Sequence, residues 1–591
     1  VEAGLNVRCT FRSPDSYVLP LRELVAEGAI KVETIDERVR DILRVKFLVG
    51  LFDNPYQLDY DAADKEINGV DNNEWSLRAS QECLVLLKND GLLPLDASTL
   101  KKVAVVGPNA DDDSYAHVHY GPVATESVTV FEGLKKALEG KADVVYAKGC
   151  ETVDSQWPDS ELFGYEPTDE ELSSIAEAVE LCRDADVAVL VVGGQTRTCG
   201  ENRSRSSLDL PGCQDLLVRE VRKVCDKVIM VIISGRPVSI NWADKHMNAI
   251  IAAWYPGAHG GTAVAQALLG EYNPGGKLSV TFPKTAGQIP FNFPYKPNSQ
   301  VDGGTGLGPG GYKTRASGAL YDFGYGLSYT TFEYSDISLS KYRILPGEGV
   351  DVSFTVTNIG KYKGDEIVQL YLHDEESSIT VYDKMLRGFE RVPLESGESK
   401  NVTIHLGPEA FTMLDRDFNK VIEPGIFDIL VGASSQDLRL GESLTVLDPS
   451  DPERRFVEEN ILSDVLPFTM KAGEEFNAGY WTSVYKPAIG GWRSEWVDAR
   501  LVAVSEGIRD AKLEMLDGMK PGIVGIVLAT GLYLAVSNLG FTSGPVVFDL
   551  TALVITAILS AVLILPRIIW KKKLSPILLI LFSAVLGAIL Y

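Results

Sequence analysis

The sequence is short of positive charge: 56 Lys and Arg stand against 81 Asp and Glu, a formal net charge of −25 over 591 residues, with a pI near 4.8. Nucleic acid is bound through clustered Lys and Arg that neutralise phosphates, so this balance argues against a nucleic-acid partner. Cysteine is scarce: Cys9, Cys83, Cys150, Cys182, Cys199, Cys213 and Cys225 are an odd set with no CxxC spacing. Neither a disulfide framework nor a zinc site is indicated, and reduced thiols are expected, with Cys199 and Cys213 the pair whose positions leave a bridge open. Histidine is rarer still, and His117 with His119 forms a lone HxH that reads as a polar loop, so no metal and no cofactor is expected. The first residues do not read as a signal peptide. The chain opens at Val1-Glu-Ala-Gly-Leu-Asn6, inside a pattern, which predicts a start in mid-domain and leaves export open.

What the sequence does carry is concentrated between Asp186 and Pro294. Asp186-Val-Ala-Val-Leu-Val-Val-Gly-Gly194 is a continuous apolar run closed by glycines, the pattern of a strand covered on both faces in a mostly parallel sheet. A polar loop follows, Gln195-Thr-Arg-Thr-Cys-Gly-Glu-Asn-Arg-Ser-Arg-Ser-Ser-Leu-Asp-Leu-Pro-Gly212, then a helix pattern from about Cys213 to Cys225 and a second apolar run, Val228-Ile-Met-Val-Ile-Ile233. This is a βαβ unit with a long, charged first loop. Ligands of open α/β sheets bind just beyond the carboxyl ends of the strands, so chemistry is expected on that loop.

Five motifs in order, Gly200-Glu-Asn-Arg-Ser-Arg-Ser-Ser-Leu-Asp-Leu-Pro-Gly212, Gly235-Arg-Pro237, Ala253-Trp-Tyr-Pro-Gly-Ala-His-Gly-Gly261, Gly270-Glu-Tyr-Asn-Pro-Gly-Gly-Lys-Leu278 and Phe323-Gly-Tyr-Gly-Leu-Ser-Tyr329, resemble glycoside hydrolase family 3, most closely its β-glucosidases. They spread over about 130 residues, and the resemblance runs from Val1 to about Leu440, roughly three quarters of the chain. It implies an exo-acting retaining β-D-glycosidase that releases terminal glucose from a β-linked oligosaccharide or glucoside, with β-xylosidase as the near alternative.

The fold expected is multidomain: the end of a (β/α)8 barrel and its linker over 1–56, an α/β sandwich domain with a parallel sheet over 75–330, a fibronectin type III-like β-sandwich over 332–440, an unassigned region over 441–519 and transmembrane helices over 520–591. Ile35, Val39, Ile42, Leu43 and Phe47 line one face of a helix from Thr34 to Phe47, with Thr34 and Glu37 as a capping-box pair. Arg40-Asp-Ile-Leu-Arg-Val-Lys-Phe-Leu-Val-Gly-Leu-Phe-Asp-Asn-Pro55 resembles the closing helix of the family's barrel and the linker that leaves it, and one or two units of a barrel cannot close a core. Val103-Ala-Val-Val106, Asp143-Val-Val-Tyr146 and Ala249-Ile-Ile-Ala-Ala253 add strands to the sheet, and Lys296 to Ser317 reads as a long surface loop. The period turns to two in Val350-Asp-Val-Ser-Phe-Thr-Val-Thr357, Val368-Gln-Leu-Tyr-Leu372 and Asn401-Val-Thr-Ile-His-Leu406, the sandwich pattern.

At the end the solvent changes. Ile523 to Leu539, Val546 to Ile569 and the shorter Pro576 to Tyr591 are nearly free of charge. At about 1.5 Å per residue the first two cross or nearly cross a hydrocarbon layer roughly 30 Å thick, so the last 70 or so residues are expected in a membrane. Lys520-Pro-Gly-Ile-Val-Gly-Ile-Val-Leu-Ala529 and Leu574-Ser-Pro-Ile-Leu-Leu-Ile-Leu581 resemble the last segments of chromate transporter family proteins, which keeps a membrane transport component with a degenerate hydrolase domain as an alternative. Arg567, Lys571, Lys572 and Lys573 place the hydrolase part in the cytoplasm by the positive-inside tendency, whereas family habit places it outside.

Glycoside cleavage needs two carboxyl groups, in retaining enzymes about 5 Å apart: one protonates the leaving oxygen, the other attacks the anomeric carbon. The resemblance implies an aspartate nucleophile on the barrel, ahead of the point where this chain begins, so no hydrolysis by this chain alone is expected. It implies an acid/base on the Gly200-Glu-Asn-Arg203 loop, at Glu201, with Asp209 a weaker competitor. A carboxylic acid that donates near neutrality needs a raised pKa. Arg197, Arg203 and Arg205 oppose that if they face Glu201; Arg197 and Arg203 are the candidates for binding sugar hydroxyls. Trp254 and Tyr255 read as packing residues, and Gly257, Gly260 and Gly261 as tight-turn glycines ahead of a helix from Ala263 to Leu269.

Overall fold

The computed structural model describes residues 1–56, 59–67, 69–117, 127–296, 318–375 and 377–451. They fall into two compact units: Val1–Arg205 with Leu210–Arg236 and Ala243–Gly276, and Ser206–Asp209 with Pro237–Trp242 and the chain from Lys277 onward.

The first unit opens with four helices, α1 (Asp15–Ala26), α2 (Val32–Leu48), α3 (Tyr60–Ile67) and α4 (Val70–Glu82). The helix expected from Thr34 begins earlier, with Lys31 at its N-cap and no side-chain cap, so the Thr34–Glu37 capping box does not form. Its apolar stripe is present but open: Val39, Leu43 and Phe47 are 47%, 39% and 63% exposed. Strands β1 (Val85–Asn89), β2 (Lys102–Val106), β3 (Asp143–Ala147), β4 (Val187–Gly193), β5 (Val228–Ile233) and β6 (Ala249–Trp254) then form one sheet in the order β1-β6-β5-β4-β2-β3. All neighbours run parallel except β1, which pairs antiparallel with β6 and which the hydrophobic pattern did not reveal. Every residue of β4 and β5 is buried, as a strand covered on both faces requires.

Helices α5 (Val130–Ala137), α6 (Ser160–Phe163), α7 (Asp169–Cys182), α8 (Gln214–Val224), α9 (Asn241–His246) and α10 (Gly260–Leu268) connect the strands. α10 starts at Gly260, ahead of the expected Ala263, and its glycines serve helix packing as well as the turn. A Cβ on Gly261 would lie 1.9 Å from the Thr129 carbonyl oxygen, and one on Gly133 would lie 2.3 Å from the Gly261 oxygen, so α5 and α10 cross on bare backbone.

The second unit carries β7 (Phe332–Leu339), β8 (Arg343–Ile344), β9 (Val350–Asn358), β10 (Gly364–Asp374), β11 (Met385–Leu394), β12 (Ser399–Leu406), β13 (Met413–Leu414), β14 (Lys420–Val421), β15 (Gly425–Gly432) and β16 (Leu438–Val446). A five-stranded sheet, β11-β10-β15-β16-β8, and a three-stranded one, β12-β9-β7, share one core. Alternation builds it: Val350, Val352, Phe354 and Val356 point inward from β9 while Ser353 and Thr357 bond across to Thr403 and Ser399 on the other face. The last strand runs past residue 440 to Val446. Buried Gln369 donates from Nε2 to the carbonyls of Gly324 (2.9 Å) and Ala433 (2.7 Å) and accepts from the Tyr371 hydroxyl (2.6 Å), which ties the Phe323-Gly-Tyr-Gly motif to the sandwich.

Among the described residues no helix is long and apolar enough to cross a membrane. The apolar runs at 523–539, 546–569 and 576–591, the unassigned region from 452, the loop at 297–317 and His119 lie outside the described residues.

All seven cysteines are free thiols, Cys199 and Cys213 included. Burial pushes the Cys213 thiol up to about 11 and the Cys182 thiol up to about 12. The thiolate is the reacting species, so at pH 8 iodoacetamide should label exposed Cys9 first and reach Cys150, Cys182 and Cys213 only after denaturation. Peptide mapping of the labelled native chain reads this directly, and rapid labelling of Cys182 would contradict the packing of α7.

Candidate active site

The site is built at the carboxyl end of β4, where the chain leaves the sheet. Gly193 has φ +138°, and a Cβ there would lie 2.0 Å from the Ile233 carbonyl oxygen, so only glycine lets β4 run this close to β5. Gln214, with no exposure, holds the first residue of α8 against this point. Its Oε1 accepts from Gly193 N at 2.7 Å, and its Nε2 donates to Gly193 O at 2.9 Å and Thr152 O at 2.8 Å. Buried Asn109, from the turn after β2, donates through Nδ2 to Gly194 O at 3.0 Å. Both ends of the 194–213 loop are thus anchored by buried amides.

Within the loop the backbone makes two successive turns. Thr198 N and Cys199 N donate to Gln195 O at 2.9 and 3.1 Å, with Gln195 N on Thr198 Oγ1 at 3.0 Å. Arg203 N then donates to Gly200 O at 3.2 Å, with Asn202 at φ +58°. A four-residue turn with positive φ at its third position has its second residue at the outer corner. That residue is Glu201, and it is exposed.

The arginines separate. Arg205 pairs through Nε with Glu161 Oε1, side chains 3% and 8% exposed, and the same oxygen accepts from Trp157 Nε1 at 3.2 Å. The Arg197 guanidinium stands 5.8 Å from the centre of the Trp157 ring, a cation–π contact. Arg203 is exposed, and its carbonyl accepts from Arg236 Nη2 at 2.8 Å. Asp209 closes a local ring on the surface, accepting from Ser207 Oγ at 2.9 Å while its N–H donates back at 3.0 Å. The structure therefore brings Arg205, Glu161, Trp157 and Arg197 together in one chain of contacts.

Tyr255, beyond β6, packs beside the loop. Its ring stacks on Tyr115 at 6.5 Å, and its hydroxyl pKa is pushed up, first by burial and then by the Cys199 thiol beside it. This fits the packing role expected for Tyr255. Trp254 is half-buried at φ +56°, where β6 turns.

A sequence model of the glycosyl hydrolase family 3 C-terminal domain matches residues 84–329, and one of the fibronectin type III-like domain matches residues 366–435. The chain carries both of these domains of glycoside hydrolase family 3. A β-xylosidase of Formosa agariphila is 38% identical over 437 residues, which cover 72% of this chain and 57% of the relative. A periplasmic β-glucosidase of Salmonella typhimurium is 34% identical over 470 residues, 75% of this chain and 59% of the relative. Among solved structures, the Listeria innocua β-glucosidase in complex with isofagomine is 30% identical, with a TM-score of 0.64 over 75% of this chain and 59% of that one. The chain spans less than two thirds of the length of these family 3 relatives. The matched domains end at residue 435 and lend no support to the chromate transporter resemblance expected at the end of the chain.

In this family 3 domain, the residues that hold the Glu201 loop include Asn109, Gln214, Glu161 and Arg236, and sequence reasoning found a role for none of them. Arg236 lies in the Gly235-Arg-Pro237 motif, which signalled the family without indicating what the arginine bonds. Trp157-Pro158, an aromatic ahead of proline in a polar stretch, was the available signal for the Glu161 segment.

Proposed function

We propose that this chain supplies the acid/base half of an exo-acting retaining β-D-glycosidase site, with Glu201 as the proton donor. A β-glucosidase releasing terminal glucose is the first reading. The observation that supports it is the position of Glu201, at the exposed corner of a turn on a pinned loop beyond the carboxyl end of β4. A carboxyl group so held can reach a glycosidic oxygen presented from outside the sheet, protonate it as the bond to the anomeric carbon breaks, and afterwards take a proton from water. The second carboxylate is expected on a (β/α)8 barrel. Arg197 and Arg203, both exposed, have donors suited to sugar hydroxyls, whereas Arg205 is held by Glu161. The β-xylosidase reading is favoured by one observation, the 38% identity of the Formosa agariphila β-xylosidase.

The test is to supply a family barrel on the N-terminal side of the chain and follow release from 4-nitrophenyl β-D-glucoside and β-D-xyloside. Hydrolysis of the glucoside at the higher kcat/KM is expected, with no useful turnover by the chain by itself. A preference for the xyloside selects the second reading. Release from neither substrate in the presence of the barrel, or full turnover without it, sinks the proposal.

A further inference from the structure

Arg236 stands three residues past the end of β5, and its backbone is fixed before its side chain acts. Ser234 N donates to Trp254 O at 3.1 Å, Ser234 Oγ donates to Arg236 O at 2.9 Å, and Arg236 N donates back to that hydroxyl at 3.3 Å. Gly235 leaves no gap between this strand end and the loop opposite, since a Cβ there would meet Cys199 Sγ at 2.5 Å and Tyr255 Cε2 at 3.0 Å. From this base the guanidinium directs one nitrogen, Nη2, to two carbonyl oxygens, Thr198 O at 2.7 Å and Arg203 O at 2.8 Å. Those oxygens bracket the segment Cys199-Gly-Glu-Asn202, which contains two residues of positive φ, Gly200 and Asn202. Nη2 carries two hydrogens, one for each carbonyl, and bonds from an ionised donor are stronger than those between neutral groups. A single atom therefore fixes the separation of the two ends of the turn.

We propose that Arg236 is the positioning residue of this site: by clamping the carbonyls of Thr198 and Arg203 it fixes the turn that has Glu201 at its corner, and so sets where the proton donor stands. The catalytic consequence rests on the reading of Glu201 as acid/base, and the effect on the loop does not. Lysine replaces the arginine only in part, because its ammonium reaches less far and lacks the planar fork.

The experiment compares the full chain with Arg236→Met, which keeps the apolar stem, and with Arg236→Lys, by hydrogen–deuterium exchange. In Arg236→Met the amides of Cys199 and Arg203 should exchange faster by about tenfold or more, with a smaller gain in Arg236→Lys, while peptides from β4 and β5 keep their protection. Unchanged exchange over 196–206 overturns the proposal, and so does a uniform rise that includes β4 and β5. If Arg236→Met does not fold, Arg236→Lys is judged by the same criterion. With a family barrel supplied, Arg236→Met should lower kcat for a β-glucoside with a poor leaving group by about tenfold more than for an activated aryl glucoside, with KM little changed, and should add nothing once Glu201 is alanine. An equal loss on both substrates counts against the positioning role. If Glu201→Ala itself shows no such split, the acid/base reading fails while the exchange result still decides the clamp.

Discussion

Glu201→Ala, in the chain completed by a family barrel, should slow cleavage of unactivated β-glucosides by about a thousandfold while 2,4-dinitrophenyl β-glucoside keeps its rate of bond cleavage within about tenfold. The difference comes from the leaving group. An alkyl or sugar alkoxide is too basic to depart without a proton, so loss of the acid is felt in full; a dinitrophenolate departs as the anion and does not need one. A thousandfold loss corresponds to about 4 kcal/mol of transition-state stabilisation, within the usual range for a positioned general acid. The second half of the reaction also loses its base, so the glycosyl-enzyme should accumulate with the activated substrate. Azide needs no deprotonation and should restore turnover as glucosyl azide. The basic limb of the kcat–pH profile should flatten in the variant, because that limb reports the acid. Equal loss on every substrate, with no azide product, would transfer the role to another carboxylate, and Asp209 on the same loop is the next to replace.

That prediction relies on a site only partly legible in the sequence. Strands announce themselves when both faces are covered: Val187-Ala-Val-Leu-Val-Val192 and Val228-Ile-Met-Val-Ile-Ile233 are unbroken apolar runs, and β4 and β5 match them almost residue for residue. β1 is a strand of five residues that ends in Lys88 and Asn89, and its antiparallel place beside β6 depends on a partner more than 150 residues away. Helix starts show the same limit. Thr129 with Glu132 and Thr168 with Glu171 form complete capping boxes, while the same local pattern at Thr34 and Glu37 does not, because α2 begins at Val32. A cap contributes about 1 kcal/mol, which the rest of the first turn outweighs. At the site, the loop and its glutamate could be placed from the strand that precedes them. The contacts that shape the loop could not, since Arg236 and Glu161 reach it from other βα connections and nothing in residue spacing encodes such pairings.

Glu161 carries the largest stability effect expected in the site. The Arg205 side chain is 3% exposed and that of Glu161 8%, so both charges have left water, and the carboxylate also takes the Trp157 indole N–H at 3.2 Å. Withdrawing two charges from water costs nearly as much as their attraction returns, so the intact pair adds little net stability. Removing one partner is different: Glu161→Ala takes the Oε1 contact away from a buried guanidinium and should destabilise the first unit by about 3 kcal/mol. Glu161→Leu combined with Arg205→Met removes both charges and keeps the volume, and should recover part of that loss. Urea unfolding followed through protection of the β4 and β5 amides measures both. High salt screens exposed charges and barely affects a buried pair, so the loss in Glu161→Ala should persist at about 1 M NaCl. A loss below about 1 kcal/mol, or one that vanishes in salt, would mean that the pair is open to water and that the outer end of the Glu201 loop is held by something else.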